Sequence, residues 1–180
     1  MSPREYFRKM RGSTRGAPPR VSNREILWSW IGGFCGIAAV AWISQLFFAG
    51  TDLGLMIGSF GASAVLVYGA VRSPLAQPRN LVGGHIISAI VGVATYQLLH
   101  HTPWLAQALA VATAIALMHA TRTLHPPGGA TALIAVIGSE QIHQLGWWYV
   151  LMPATLGPLI LLLVALVVNN MTATRRYPEV

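Results

Sequence analysis

The stretch Leu124-His125-Pro126-Pro127-Gly128-Gly129-Ala130-Thr131-Ala132-Leu133-Ile134 decides what kind of chain this is. Two consecutive prolines end any helix that precedes them and suit the first turn of a new one. Glycine and a hydroxyl residue then lead into an apolar run over 126–138. That run is shorter than the roughly 17–25 residues a helix needs to cross a bilayer. It reads as a half-helix that begins inside a membrane, or as a span extended by polar residues to about His143. Gly58-Ser59-Phe60-Gly61-Ala62-Ser63-Ala64-Val65-Leu66 has the same make-up, within an apolar stretch over 53–71 carrying four glycines. Such a stretch is expected to be broken near 58–63 and buried between neighbours. The expectation is two helix N-termini, each offering N–H groups and a positive dipole end, facing one small anion.

Working outward, apolar stretches over 26–48, 81–99, 104–120 and 147–168 are each near or above spanning length. The chain is 54% hydrophobic and 9% charged, against about 25% charged in soluble domains. It is an integral membrane protein of one compact, all-α unit. The formal charge of +7 does not point to nucleic acid. Its basic residues cluster near the N-terminus and in short loops, as in cytoplasmic segments. Residues 1–25 read as a flexible basic tail, 26–170 as the membrane domain and 171–180 as a short C-terminal tail. The first apolar run comes too late and is too long for a secretory signal. Cys35 is the single cysteine, and no Cys/His metal spacing occurs, so neither a disulfide, a metal nor a cofactor is expected.

Six crossings place all twelve Lys and Arg residues on one side and Asp52 and Glu140 on the other. That puts both termini in the cytoplasm, of a bacterial inner membrane. An offset of 68 lines Gly61-Ala62-Ser63-Ala64-Val65-Leu66-Val67 up with Gly129-Ala130-Thr131-Ala132-Leu133-Ile134-Ala135. It also carries the third span onto the sixth. Each half holds three crossings, an odd number, so the halves are expected to be inverted repeats, a transporter design. Gly32 and Gly36, and Ala110 and Ala114, have the spacing that lets helices approach closely. Such glycine-rich faces suggest a homodimer.

The string from Leu124 to Ala132 resembles the signature of the HPP family of integral membrane proteins. Gly58 to Ala64 resembles a second block of that family. Ser73-Pro74-Leu75-Ala76-Gln77-Pro78-Arg79-Asn80 with Gly83-Gly84-His85 resembles a third. The resemblance covers about 25–170. It implies transport of nitrite, the activity associated with plastid and cyanobacterial relatives.

For a small, planar, singly charged anion the expected donors are backbone N–H groups at Gly61, Ala62, Ser63 and at Gly128, Gly129, Ala130, Thr131. The hydroxyls of Ser59, Ser63 and Thr131 would add to them. Each hydroxyl has the alternative of bonding back to its own helix. Arg79 and Arg122 abut the blocks and would concentrate anions at a mouth, or simply obey the positive-inside rule. Asn80 caps a span or lines the pore. His85 and His125 donate to the anion, sense pH, or tie a loop. None of the five acids lies at the centre of a span. Carboxylate relays and most cation sites need one there. The chain is thus expected to be a channel or uniporter, or to couple to protons through histidine, rather than a sodium symporter. An enzyme built on His119, His125 and Arg122 lacks a nucleophile–base pair or carboxylate partner at a convincing spacing. The alternative from another class is a scaffold or sensor subunit whose glycines serve packing alone.

Overall fold

The computed structural model describes residues 2–10, 20–48, 50 and 57–179. The expected break at Thr51-Asp52, the start of the second apolar stretch at 53–56, and Arg11 and Arg15 of the basic tail lie outside those residues. Among the described residues there are helices and turns but no strand. The order is α1 (Pro3–Lys9), α2 (Asn23–Phe48), α3 (Ile57–Ala64), a π-helical turn (Val65–Gly69), a 3₁₀ turn (Pro74–Ala76), α4 (Pro78–Leu99), α5 (Pro103–Ala120), α6 (Pro126–Ile137), α7 (Glu140–Leu145), α8 (Trp148–Leu151) and α9 (Leu156–Val168). Proline opens α4, α5 and α6. Its fixed φ suits the first turn, and its missing N–H is one that a helix start leaves unused.

Four helices are long and apolar enough to cross a membrane: Asn23–Phe47, Pro78–Leu99, Pro103–Ala120 and Trp148–Val168. Two shorter apolar helices, Gly58–Gly69 and Pro126–Ile137, stand where half-helices are expected. At 1.5 Å per residue, α6 is about 18 Å long, well short of a hydrocarbon core of about 30 Å.

The packing has two centres. Helices α4, α5 and α6 pack against one another, and Ala106, Ala110 and Ala114 are fully buried there with Met118 and Ala132. The alanine spacing of α5 thus serves close approach, as expected. A second core joins α2, α3 and α9 around Phe60, Tyr68, Leu81, Tyr149 and Leu161. Gly32 and Gly36 act differently from expectation. A methyl group at either would run into the ring of Tyr68, whose hydroxyl donates to the Leu161 carbonyl at 2.8 Å. The groove they make holds an aromatic ring from the same chain rather than a second helix backbone. Gly157 likewise makes room for the ring of Phe60. The outer surface is apolar, with Trp30, Phe34, Trp42 and Leu46 of α2 and Leu163 and Val167 of α9 exposed. Such a surface suits lipid.

The start of α2, the 72–80 segment, the turn after α5 and the C-terminus gather at one end, here the basic face. Arg175 ties the start of α2 to the end of α9 and the π-helical turn. Its side chain is 2% exposed, pairs with Glu25 at 2.7 Å, and donates to Ser29, Asn169 and the Tyr68 carbonyl. Tyr177 donates to the Ala76 carbonyl at 2.8 Å, and burial pushes its phenol above the ordinary value. Residues 171–179, expected as a tail, are therefore part of the packed domain. Within the basic N-terminal segment, Pro3–Lys9 is helical, closed by a reciprocal cap between Ser2 and Glu5.

Candidate functional site

Four polar side chains meet at zero exposure: Ser63 from α3, His85 from α4, His125 at the N-cap of α6 and Thr131 from α6. His85 is seven residues into α4, so the cluster lies about 10 Å below the basic face. The Ser63 hydroxyl is 2.8 Å from Nε2 of His85 and 2.8 Å from Nε2 of His125. His85 Nδ1 is 2.7 Å from Thr131 Oγ1, and His125 Nδ1 is 2.8 Å from the Leu75 carbonyl of the 3₁₀ turn. Phe60 packs edge-on against His85, and Tyr149 donates to the Thr131 carbonyl at 2.8 Å.

The hydrogen positions follow from counting donors. A carbonyl only accepts, so His125 Nδ1 carries a hydrogen. In a neutral ring, Nε2 then accepts, and Ser63 must donate its one hydroxyl hydrogen there. His85 Nε2 must therefore donate to Ser63, which leaves its Nδ1 to accept from Thr131. The neutral cluster has one fully satisfied wiring, running Thr131 to His85 to Ser63 to His125 to Leu75. The contact from Ser63 to the Ser59 carbonyl, 3.2 Å, competes weakly for the same hydrogen.

Glycines make this fit. A methyl on Gly84 would collide with His125, and one on Gly128 would come within 2.7 Å of the Ser88 hydroxyl and 2.9 Å of the Gly84 carbonyl. Gly128 is thus a packing residue. Gly129 has open space, its nearest neighbour being Val111 Cγ1 at 3.9 Å.

The facing helix N-termini are corrected. Ser63 lies in the last turn of α3, so α6 begins against the far end of that helix. Gly61, Ala62 and Ser63 are helix interior, where N–H groups serve the backbone ladder. The helix is not broken at 58–63; the irregular turn comes after it, at Val65–Gly69. Glycines 58 and 61 mark an open outer face with nothing within 4 Å, rather than a helix start. Ala62 is exposed. At α6 the two prolines remove two donors, and the Gly128 N–H is already bonded to the His125 carbonyl at 2.8 Å. Gly129, Ala130 and Thr131 lie further in, within the ladder. Side chains, not amides, are the donors here.

Arg79 and Asn80 hold the turn after α5, donating to the carbonyls of Thr121 and Leu124, each at 2.8 Å. Arg79 is exposed, as is Arg122, which sits in the turn at φ 57°. Neither guanidinium reaches the cluster. Ser59 is buried beside it. Tyr149 carries no signal of the site in sequence, because Trp147-Trp148-Tyr149 has the make-up of an interfacial belt. Leu75 carries none because it contributes only a carbonyl.

The Ser63–His125 pair has the separation of a nucleophile and its base. It is loaded from the other side by His85 and fully enclosed. Among the described residues no group of three or more His, Cys, Asp or Glu is placed to hold a metal ion.

The family model described as HPP, transmembrane region, matches residues 18–178. Two transmembrane proteins of Dictyostelium discoideum are similar over 97% of this chain. One is 46% identical over 177 residues and the other 45% over 178. The chain covers 56% and 62% of their lengths, less than two thirds of either. No solved structure matches. The quoted blocks lie within the matched residues, and the chain belongs to the HPP transmembrane family.

Proposed function

We propose that this membrane protein carries a small inorganic anion, with nitrite the first candidate, and that it is not an enzyme. The observation that carries the proposal is the cluster of Ser63, His85, His125 and Thr131, wholly buried in a bundle with a lipid-suited surface. Polar groups at membrane depth are costly and mark pathways more often than packing. Two hydroxyls and two imidazoles match the acceptor oxygens of a small planar anion. The anion enters from water and leaves to water through a bundle that must loosen around the cluster, which is closed as it stands.

The same proposal takes the basic face as cytoplasmic. It takes α2–α4 and α5–α9 as two inverted halves whose short helices make the fourfold contact. Ser63 and Thr131 are equivalent at the offset of 68, and both bond His85, one on each ring nitrogen. With Gly32 and Gly36 turned onto Tyr68, a homodimer would use the outer groove of about 450 Å³ along Gly33, Gly61 and Gly69.

The second reading, a scaffold or sensor subunit, is favoured by one fact: the four side chains of the cluster satisfy one another's hydrogen bonds. Liposome exchange separates the two. Purified protein is expected to exchange ¹⁵N-nitrite across liposomes above protein-free controls, with nitrate, formate and chloride as competitors. No exchange of any of the four anions would leave the scaffold.

A further inference from the structure

Resting on the anion-carrier proposal, we infer that the chain Thr131–His85–Ser63–His125 is a proton relay that brings one proton in with each anion. The first support is what the cluster lacks. Among the described residues no Lys, Arg, Asp or Glu bonds any of the four side chains. Arg79 and Arg122 are exposed and away from the cluster. An anion moved into so enclosed a place needs a countercharge, and imidazole is the group there able to supply one.

The second support is the wiring. Every link is 2.7–2.8 Å, and the links alternate hydroxyl and imidazole, each able to accept a proton on one side and pass one on from the other. A proton arriving at Thr131 Oγ1 releases the Thr131 hydrogen to His85 Nδ1. His85 passes its Nε2 hydrogen to Ser63, and Ser63 passes its own to His125 Nε2. One proton has entered and His125 is an imidazolium. His85 is neutral again with its hydrogen moved from Nε2 to Nδ1, and every link now points the other way. No bond other than O–H and N–H changes, and no electron is transferred. Discharge is the same shift run backward, or loss of the Nδ1 proton to water at the basic face when the Leu75 carbonyl lets go.

The third support is a cleft beside the start of the relay. A cleft of about 50 Å³ between α4, α6, α7 and α8 is lined by Val93, Tyr96, Ala135, His143 and Tyr149. A buried water needs roughly 10–15 Å³. Tyr149 lines that cleft and donates to the Thr131 backbone carbonyl, so the cleft reaches the residue whose hydroxyl begins the relay. The titratable groups near the path are few. His85 and His125 face each other across Ser63, Tyr149 meets them from α8 through Thr131, and Tyr96 and His143 stack at 3.7 Å in the cleft.

Two measurements test this. ¹⁵N NMR of the histidines in nanodiscs is expected to show hydrogen on Nδ1 of His125 and on Nε2 of His85 in the neutral protein. As acid charges His125, His85 is expected to switch to Nδ1–H at the same pH. In Ser63→Ala that joint switch is expected to vanish, and in Ser63→Thr, which keeps the hydroxyl, to persist. A His85 tautomer indifferent to charging of His125 would overturn the relay. In liposomes, an inward proton gradient is expected to drive nitrite several-fold above equilibrium. Exchange without such accumulation would overturn coupling while keeping the carrier. Loss of both would overturn the carrier, and the NMR result would then decide the relay alone.

Discussion

His85 and His125 stand 5.2 Å apart, ring centre to ring centre, and one hydroxyl, that of Ser63, bonds Nε2 of both. Removing it orphans a buried donor and a buried acceptor together. Each orphan costs about 1–3 kcal/mol in soluble proteins, while hydrogen bonds inside membranes average about 0.6. Ser63→Ala is expected to lose about 2 kcal/mol, read as a fall in the thermal unfolding midpoint in detergent. An unchanged midpoint would show that the two rings find other partners.

The two glycines of the His-Pro-Pro-Gly-Gly string are expected to separate cleanly. Gly128→Ala forces a methyl against the Gly84 backbone and Ser88, and such overpacking costs about 1–3 kcal/mol. Gly129→Ala meets open space and gains helix propensity of up to about 1 kcal/mol. Equal tolerance at both positions would mean that α4 and α6 pack less closely than described.

Tyr68 ties α2 to α9. Tyr68→Phe loses one hydrogen bond to Leu161 and is expected to cost about 1 kcal/mol. Gly36→Ala, which drives a methyl into the ring, is expected to cost more. Unfolding midpoints of the two variants, compared in one detergent, give the order; the reverse order would place the ring elsewhere.

Arg175 is the buried charge of the basic face. Arg175→Ala leaves Glu25, 28% exposed, without its partner, so the loss is expected to stay below the roughly 3–5 kcal/mol of a fully buried pair. Arg175→Lys is expected to recover only part of this. One ammonium cannot reach Glu25, Ser29, Asn169 and the Tyr68 carbonyl from one place. Full recovery in a chemical unfolding curve would reduce Arg175 to a simple point charge.

Hydropathy made the long helices legible, because crossing a bilayer imposes a length on the sequence. Proline and glycine made α6 legible, because Pro126-Pro127 permits few backbones. The site was half legible. The residues Ser63, His85, His125 and Thr131 stand in the quoted blocks, and the hydroxyls of Ser63 and Thr131 are expected donors there; the backbone amides expected beside them serve the helix ladder instead. Helix phase decides which groups point inward, and the glycines of α3, which looked like a helix start, are spaced along its open face. In the sequence, Arg175 is one more basic residue of the positive side, and Tyr149 follows two tryptophans as an interfacial residue would. Nothing local in a sequence tells a tyrosine at the lipid boundary from one whose hydroxyl reaches Thr131 across the fold.

The central claim is that the buried cluster handles the anion. Thr131→Val tests it most directly, since the side chain keeps its shape and loses only the hydroxyl that bonds His85. The measurement is ¹⁵N-nitrite exchange in liposomes, with the variant's unfolding midpoint recorded beside it. Exchange reduced at least tenfold, in a protein that stays folded, is the predicted result. Exchange at the wild-type rate would contradict the account and place the anion's path elsewhere in the bundle.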